Sequence, residues 1–336
     1  MHEAVLYEKL DNDSVRCNLC AHHCVISNGR LGVCSVRKNL GGELYTLVYG
    51  RCISRGVDPV EKKPLYHFYP GTGAYSIATP GCNFRCQWCQ NADIAHMPRE
   101  WGKIAGSNIA PLEIVNAASE SGCRSIAYTY TEPTIFFEYA YDIAQQAHKH
   151  GIANIFVTNG YMTLEMLEYF APYLDAANVD LKAFREKTYH RVVGAGLSPI
   201  LDSMKKMVRQ GVWLEVTTLV IPGINDDKSE LREVAQFIAG ELGPDVPWHI
   251  SRFFPAYQMT DVQPTPISTM QSAYDIGKEE GLRHVYMGNV AGESNTVCYD
   301  CGRLLIRRQG YWVAENNLRA GHCPDCGAPI TGVWTD

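Results

Sequence analysis

The chain has 336 residues, a formal net charge of −6, 46% hydrophobic residues and 20% charged residues. That length allows one large barrel-type domain with appendages or two ordinary domains, and that balance excludes a disordered chain. No apolar run is long enough to cross a bilayer, "MHEAVLYEKLDND" carries acids where a secretory leader carries bases, and the acidic balance gives no pull toward nucleic acid. A cytoplasmic protein with neither membrane nor nucleic acid among its partners is expected.

Residues 1–70 hold few helical periods and four cysteines, and end in the turn-rich "HFYPGTG". They read as an N-terminal cysteine-rich module. From about residue 74 to 288, short β-rich runs alternate with amphipathic helices. The predicted strands are 74–80, 125–131, 154–160, 176–183, 213–221 and 247–255, with "HVYMGN" (284–289) as a seventh strand or an edge piece. Helices are predicted at 134–151, 163–174 and 227–243. In the first of these, Ile135, Tyr139, Ile143 and Ala147 make one apolar stripe and Gly151 supplies the stop. Such alternation implies a parallel sheet. The expected fold class is α/β, a partial (β/α)6 TIM-like barrel over 71–289 flanked by small cysteine-rich metal-binding modules. The last of these, 290–336, contains the hairpin-like "CGRLLIRRQGYWV", whose "RLLIRR" reads as an ordinary solvated strand.

Thirteen cysteines are many, and eleven fall into three tight groups. In a chain of this length without a leader, such groups point to metal rather than to a disulfide framework. Cys52 and Cys123 are left over and read as buried small hydrophobes.

The central group is "TPGCNFRCQWCQN", with Cys82, Cys86 and Cys89 directly after the first barrel strand. In barrels of this kind, the C-terminal ends of the strands build the active site. Three thiolates can hold three irons of a cubane and leave the fourth iron open to a further ligand. Phe84 and Trp88 would shield such a cluster from water. Spacing alone also admits a three-thiolate zinc site completed by a distant histidine.

"GCNFRCQWCQN" resembles the cluster-binding loop of the radical S-adenosylmethionine (SAM) superfamily. The resemblance implies a 4Fe–4S cluster on Cys82, Cys86 and Cys89 whose open iron takes the amino and carboxylate groups of SAM. It further implies reductive cleavage of SAM to a 5′-deoxyadenosyl radical that abstracts hydrogen from a substrate. "YTYTEPT" (128–134) resembles the segment that meets the SAM amino group, with Tyr130 and Thr131 where the superfamily carries glycines and with Glu132 retained. "VTNG" (157–160) and "VDLKAF" (179–184) resemble segments of the glycyl-radical-enzyme activases, which makes Thr158, Asn159, Asp180 and Lys182 candidate SAM contacts. "VIPGIND" is also typical of that branch. Two departures stand out. Val157 replaces an acid of a monovalent-cation site, and Tyr257 stands near where a histidine would meet the nucleoside. His249 reads as a satisfied core histidine.

The N-terminal group, Cys17, Cys20, Cys24 and Cys34, reads as a closed structural site, zinc ahead of an auxiliary cluster. The tail group, Cys298, Cys301, Cys323 and Cys326, has the glycine-bearing knuckles of zinc-ribbon and rubredoxin modules. Zinc is expected there, with a mononuclear iron as the minority option. Over its full length, through "DPVEKKPLYHFYPGT" and the tail, the chain resembles the AmmeMemoRadiSam group of radical SAM proteins.

The expected function is a radical SAM enzyme acting on an unidentified substrate, small molecule or peptide. Its expected partners are an electron donor such as flavodoxin or ferredoxin and a possible protein or peptide substrate. Activation of a glycyl-radical partner and a non-catalytic zinc-ribbon scaffold or RNA-binding protein are the alternatives. Tyr128, Tyr130 and Cys123 lie close in sequence to the SAM strand but read as packing rather than as radical-quenching residues.

Overall fold

The computed structural model describes residues 1–335. Its centre is an eight-stranded sheet whose strands follow one another in strict sequence order. They are β1 (Ser54–Pro59), β2 (Gly73–Ala78), β3 (Ser125–Tyr128), β4 (Ala153–Thr158), β5 (Ala176–Asp180), β6 (Trp213–Val220), β7 (Trp248–Arg252) and β8 (Val285–Gly288). β1 runs antiparallel to β2, and every later pairing is parallel. Among the described residues the edge strands β1 and β8 do not pair with each other, so the sheet forms a partial barrel. The run 284–289 is thus a seventh parallel strand at the edge. β1 had no counterpart in the sequence reading, and its pairing with β2 spans the boundary expected near residue 70.

Strands covered on both faces should be apolar throughout, and β3 is buried at all four positions. The helix Phe137–Lys149 turns Tyr139, Ile143 and Ala147 into the core; Ile135 is buried in the 3₁₀ turn that precedes it, and Gly151 takes φ 67° after its end. Thr163 Oγ1 caps the helix Leu164–Phe170 by accepting from Met166 N, and Asp227 caps Lys228–Phe237 by accepting from Ser229 N and Glu230 N.

Every predicted strand from 125 to 255 ends one to three residues earlier than expected. The residues beyond, such as Thr129–Thr131 and Leu181–Ala183, leave the ladder and line or support the cavity at that end of the barrel.

Before residue 53 the chain forms small antiparallel sheets and no α-helix. This region is fastened to the barrel by Arg37, whose Nη2 and Nη1 reach Glu138 Oε1 and Oε2 at 2.7 and 3.1 Å. Both side chains are almost fully buried. The tail hairpin Leu304–Gln309 with Trp312–Asn316 packs on the segment around residues 61–69. Here "RLLIRR" departs from the solvated strand expected of it, because Leu305, Ile306 and Arg308 are buried. Arg308 donates to Tyr66 O at 2.7 Å and Thr296 Oγ1 at 2.8 Å, with its guanidinium over the Tyr66 ring. A stem and fork that long can bridge two segments while satisfying most of its donors, which periodicity alone does not reveal.

Candidate functional site

Cys82, Cys86 and Cys89 sit in the loop that follows β2, as the sequence placed them. With Glu132, Thr158, Asn159, Asp180 and Lys182 they line a single cavity of about 310 Å³ at the C-terminal ends of the strands. The structure therefore brings together all eight residues that the central motifs nominated.

Glu132 is the hub. Its Oε1 accepts from Thr134 N at 3.0 Å, Thr134 Oγ1 at 2.7 Å and Thr158 Oγ1 at 2.7 Å, while Oε2 accepts only Asn159 N at 2.8 Å. The carboxylate thus caps the 3₁₀ turn Pro133–Phe136 and ties the end of β3 to the end of β4. It is buried, and among the described residues no lysine, arginine or histidine forms an ion pair with it. Burial pushes its carboxyl above the usual carboxylate range despite four donors.

Asn159 is a clasp. Its Nδ2 donates to Asn83 Oδ1 at 2.8 Å and lies 4.0 Å from Cys82 Sγ, and its Oδ1 accepts Tyr161 N at 2.9 Å. The "VTNG" turn is thereby locked to the cysteine loop, where Phe84 N–H points at Cys82 Sγ from 3.4 Å. Thr158 and Asn159 shape the wall through Glu132 and Asn83.

Across the cavity, Lys182 Nζ donates to Asp180 Oδ2 at 3.0 Å. Burial works against the ammonium, but Asp180 and the Cys86 sulfur outweigh it and hold Lys182 above the usual lysine range. Burial pushes the Cys86 thiol up to about 12, with Lys182 opposing the rise. Thiols so buried ionise when a metal binds them, not before. In the tail, the sulfurs of Cys298, Cys301, Cys323 and Cys326 all lie within 4.8 Å of one another.

Other expectations separate cleanly. His249 is a satisfied core histidine, with Nε2 2.6 Å from Glu215 Oε2, outside the cavity. Tyr257 stacks on His96 and lines a neighbouring cavity with Arg85, Arg99 and Arg191. Val157 does line the main cavity, while Cys52, Cys123 and Tyr128 are buried outside it. The N-terminal quartet lines a cavity of its own.

The sequence reading missed Asp58, Lys62 and Lys63 and took Tyr130 for packing. Lys62, Lys63 and Tyr130 line the main cavity. Asp58 accepts from Lys62 Nζ, Lys63 Nζ and Ser76 Oγ at 2.7, 2.7 and 2.8 Å, and from Tyr130 Oη. Burial works to raise this carboxyl, but those donors hold it well below the usual range, while burial brings Lys63 down to about 8. Tyr130 stands at φ 64°, in the region glycine favours, at one of the two positions where the superfamily carries glycine. A glycine-type conformation held by a tyrosine was the available signal.

Comparison with known proteins gives this geometry its family. Residues 76–238 match the family model of the radical SAM superfamily. The chain belongs to that superfamily. Over 334 residues it is 44% identical to the uncharacterized protein MJ0808 of Methanocaldococcus jannaschii, covering 98% of this chain and 99% of that one. It is 23% identical to the pyruvate formate-lyase-activating enzyme of Clostridium pasteurianum over 47% of this chain and 66% of the relative. A radical SAM methyltransferase from Sphaerobacter thermophilus shares the fold, with a TM-score of 0.52 and 16% identity over 70% of this chain and 71% of that one. As a radical SAM protein, the chain is an α/β partial barrel with iron–sulfur and SAM binding as its family properties.

Proposed function

We propose that this radical SAM protein cleaves SAM reductively and uses the resulting radical to take a hydrogen atom from an unidentified substrate. Cys82, Cys86 and Cys89 would hold the 4Fe–4S cluster, and Glu132 would receive the SAM ammonium. The observation that carries the reading is Glu132, a buried carboxylate lining the same cavity as the three thiols with no cation among the described residues paired to it. An ammonium supplies that missing charge, and charge-assisted hydrogen bonds of this kind are the strong ones.

When bound, cluster and SAM together supply a reductively generated 5′-deoxyadenosyl radical. The chain's own residues position and enclose. Thr134, Thr158 and the Asn159 N–H fix the Glu132 carboxylate, Asn83 and Asn159 hold the cysteine loop against β4, and Phe84 and Trp88 keep water from the sulfurs. Lys182 and Asp180 present a fixed charge pair, suited to the carboxylate end of the methionine moiety and its surroundings. Lys62, Lys63 and Tyr130 remain for the substrate. Two lysines share the Asp58 carboxylate, so this wall favours a substrate group that is anionic. A low-potential donor such as flavodoxin or ferredoxin would supply the electron.

The test is spectroscopic. Anaerobically reconstituted and reduced protein should show a cluster EPR signal that SAM perturbs, and the Cys86→Ala variant should not. A reduced cluster indifferent to SAM would end this reading.

A further inference from the structure

We propose that a second cavity, on the other side of the cysteine loop, is a binding site for a small molecule that carries a phosphate group.

The loop is a wall with two faces. Cys86, Trp88 and Cys89 line the cavity described above, while the alternate residues Arg85 and Gln87 line a separate cavity of about 370 Å³. That volume falls within the range of small-molecule sites, roughly 300–1,000 Å³.

The remaining walls are fastened to the loop. Arg85 N donates to Val193 O at 2.9 Å, just past the helix Glu186–Val192, and Gln258 N donates to Gln87 O at 2.9 Å. Arg99 ties the segment after the loop back onto it, with Nη1 donating to Phe84 O and Nη2 to Cys82 O, both at 3.2 Å. The cavity is thus built into the fold.

Charge decides what it takes. Arg85, Arg99 and Arg191 all line it, in a chain of net charge −6, and none of the three forms an ion pair among the described residues. The one carboxylate of the lining, Glu100, accepts from Tyr257 Oη instead. His190 is met from outside the lining by Glu186 at 3.0 Å. Three arginines against one glutamate leave two positive charges in excess.

The arginines divide the work. Arg99 spends its Nη1 and Nη2 donors within the protein, on Phe84 O, His96 Nδ1, Val33 O and Cys82 O, so it brings the cavity mainly charge. Burial, with Arg85 beside it, pushes Arg99 below the usual arginine range, a penalty that a bound anion relieves. Arg85 and Arg191 are exposed, and their forks are free to close on a ligand. Unpaired arginines on an open surface are ordinary; here two of them border a cavity that also holds a third fixed in place. A guanidinium fork matches the paired oxygens of phosphate, and an excess of two charges suits a phosphate dianion better than a single carboxylate. The site stands on this lining alone and does not depend on the function proposed above.

The experiment titrates glycerol 3-phosphate into the anaerobically reconstituted full chain by calorimetry at about 50 mM salt, where charges are only partly screened. One site per chain is expected. Arg191→Gln, at an exposed position, should weaken it about tenfold, and Arg85→Gln together with Arg191→Gln about 100-fold, while Lys62→Gln in the main cavity binds as wild type. Absence of binding, or binding that both arginine changes leave unaltered, would overturn the proposal. Loss in Lys62→Gln alone would overturn it by assigning the anion to the main cavity. Equal or tighter binding of succinate or hexaglutamate would overturn it in favour of a carboxylate site or an acidic protein partner.

Discussion

Glu132 Oε2 accepts the Asn159 backbone N–H at 2.8 Å and, among the described residues, no other donor, and this buried carboxylate lines the cavity that holds the three thiols. Replacing Glu132 by Gln removes the charge while nearly keeping the shape. SAM affinity should fall about 10- to 100-fold, the worth of one hydrogen bond to a charged group, with iron and sulfide content unchanged. Titrating SAM into the reconstituted variant and following the reduced-cluster signal measures this. Unaltered affinity would remove Glu132 from the SAM contacts.

The Arg37–Glu138 pair joins the N-terminal sheets to the helix Phe137–Lys149, and its fork also holds Val5 O at 3.0 Å. Removing one partner leaves the other buried and uncompensated. Arg37→Met or Glu138→Gln should each cost about 3–5 kcal/mol in chemical denaturation, and the double variant less than their sum. Additive losses would mean that the pair is not a coupled unit.

His284 is buried against His67, with ring centres 4.4 Å apart. Burial pushes His284 down to about 4, helped by Lys278 and Arg283 and opposed by Asp245 and Glu215. Burial likewise holds His67 well below its usual range. In the unfolded chain each histidine takes its proton near 6.5. Between about pH 4 and 6.5 the unfolded state therefore binds more protons, so stability is complete above that window and is lost as the pH falls through it. His284→Gln should flatten the fall by about 1–3 kcal/mol, read from denaturation midpoints of the two proteins at pH 7 and pH 5. Parallel curves would show that His284 is not the group responsible.

Cys301 and Cys326 are exposed while Cys298 and Cys323 are buried, so a chelator reaches the tail site from one side. We propose zinc at this quartet, whose sulfurs all lie within 4.8 Å of one another, so stripping it, or changing Cys301 and Cys326 to Ser, should release about one zinc per chain. Amide protection should vanish across 298–335 while β3 and β4 keep theirs, because so small a hairpin module depends on its metal. Unchanged exchange in the tail would show that the hairpin holds without metal.

The barrel was legible because its parallel strands are apolar on both faces and its helices carry stripes such as Tyr139, Ile143 and Ala147. β1 was not, since "SRGVDP" combines glycine, proline and two charged residues and looks like a loop; it is an edge strand, where proline is tolerated. The nominated site residues converged because each ends or follows a strand, and strand ends share one face of a barrel. Asp58, Lys62 and Lys63 escaped notice because they enter from outside the repeating units, and only the antiparallel pairing of β1 with β2 carries them to the cavity. Arg308 escaped because an arginine in a polar-looking strand gives no sign that a tyrosine ring and two acceptors await it.

The most direct measurement is 5′-deoxyadenosine release. Reduced, reconstituted protein incubated anaerobically with SAM should produce it, and the Cys86→Ala variant under the same conditions should not. Release by neither, from protein whose wild-type cluster content is complete, would contradict SAM cleavage as the activity of this site.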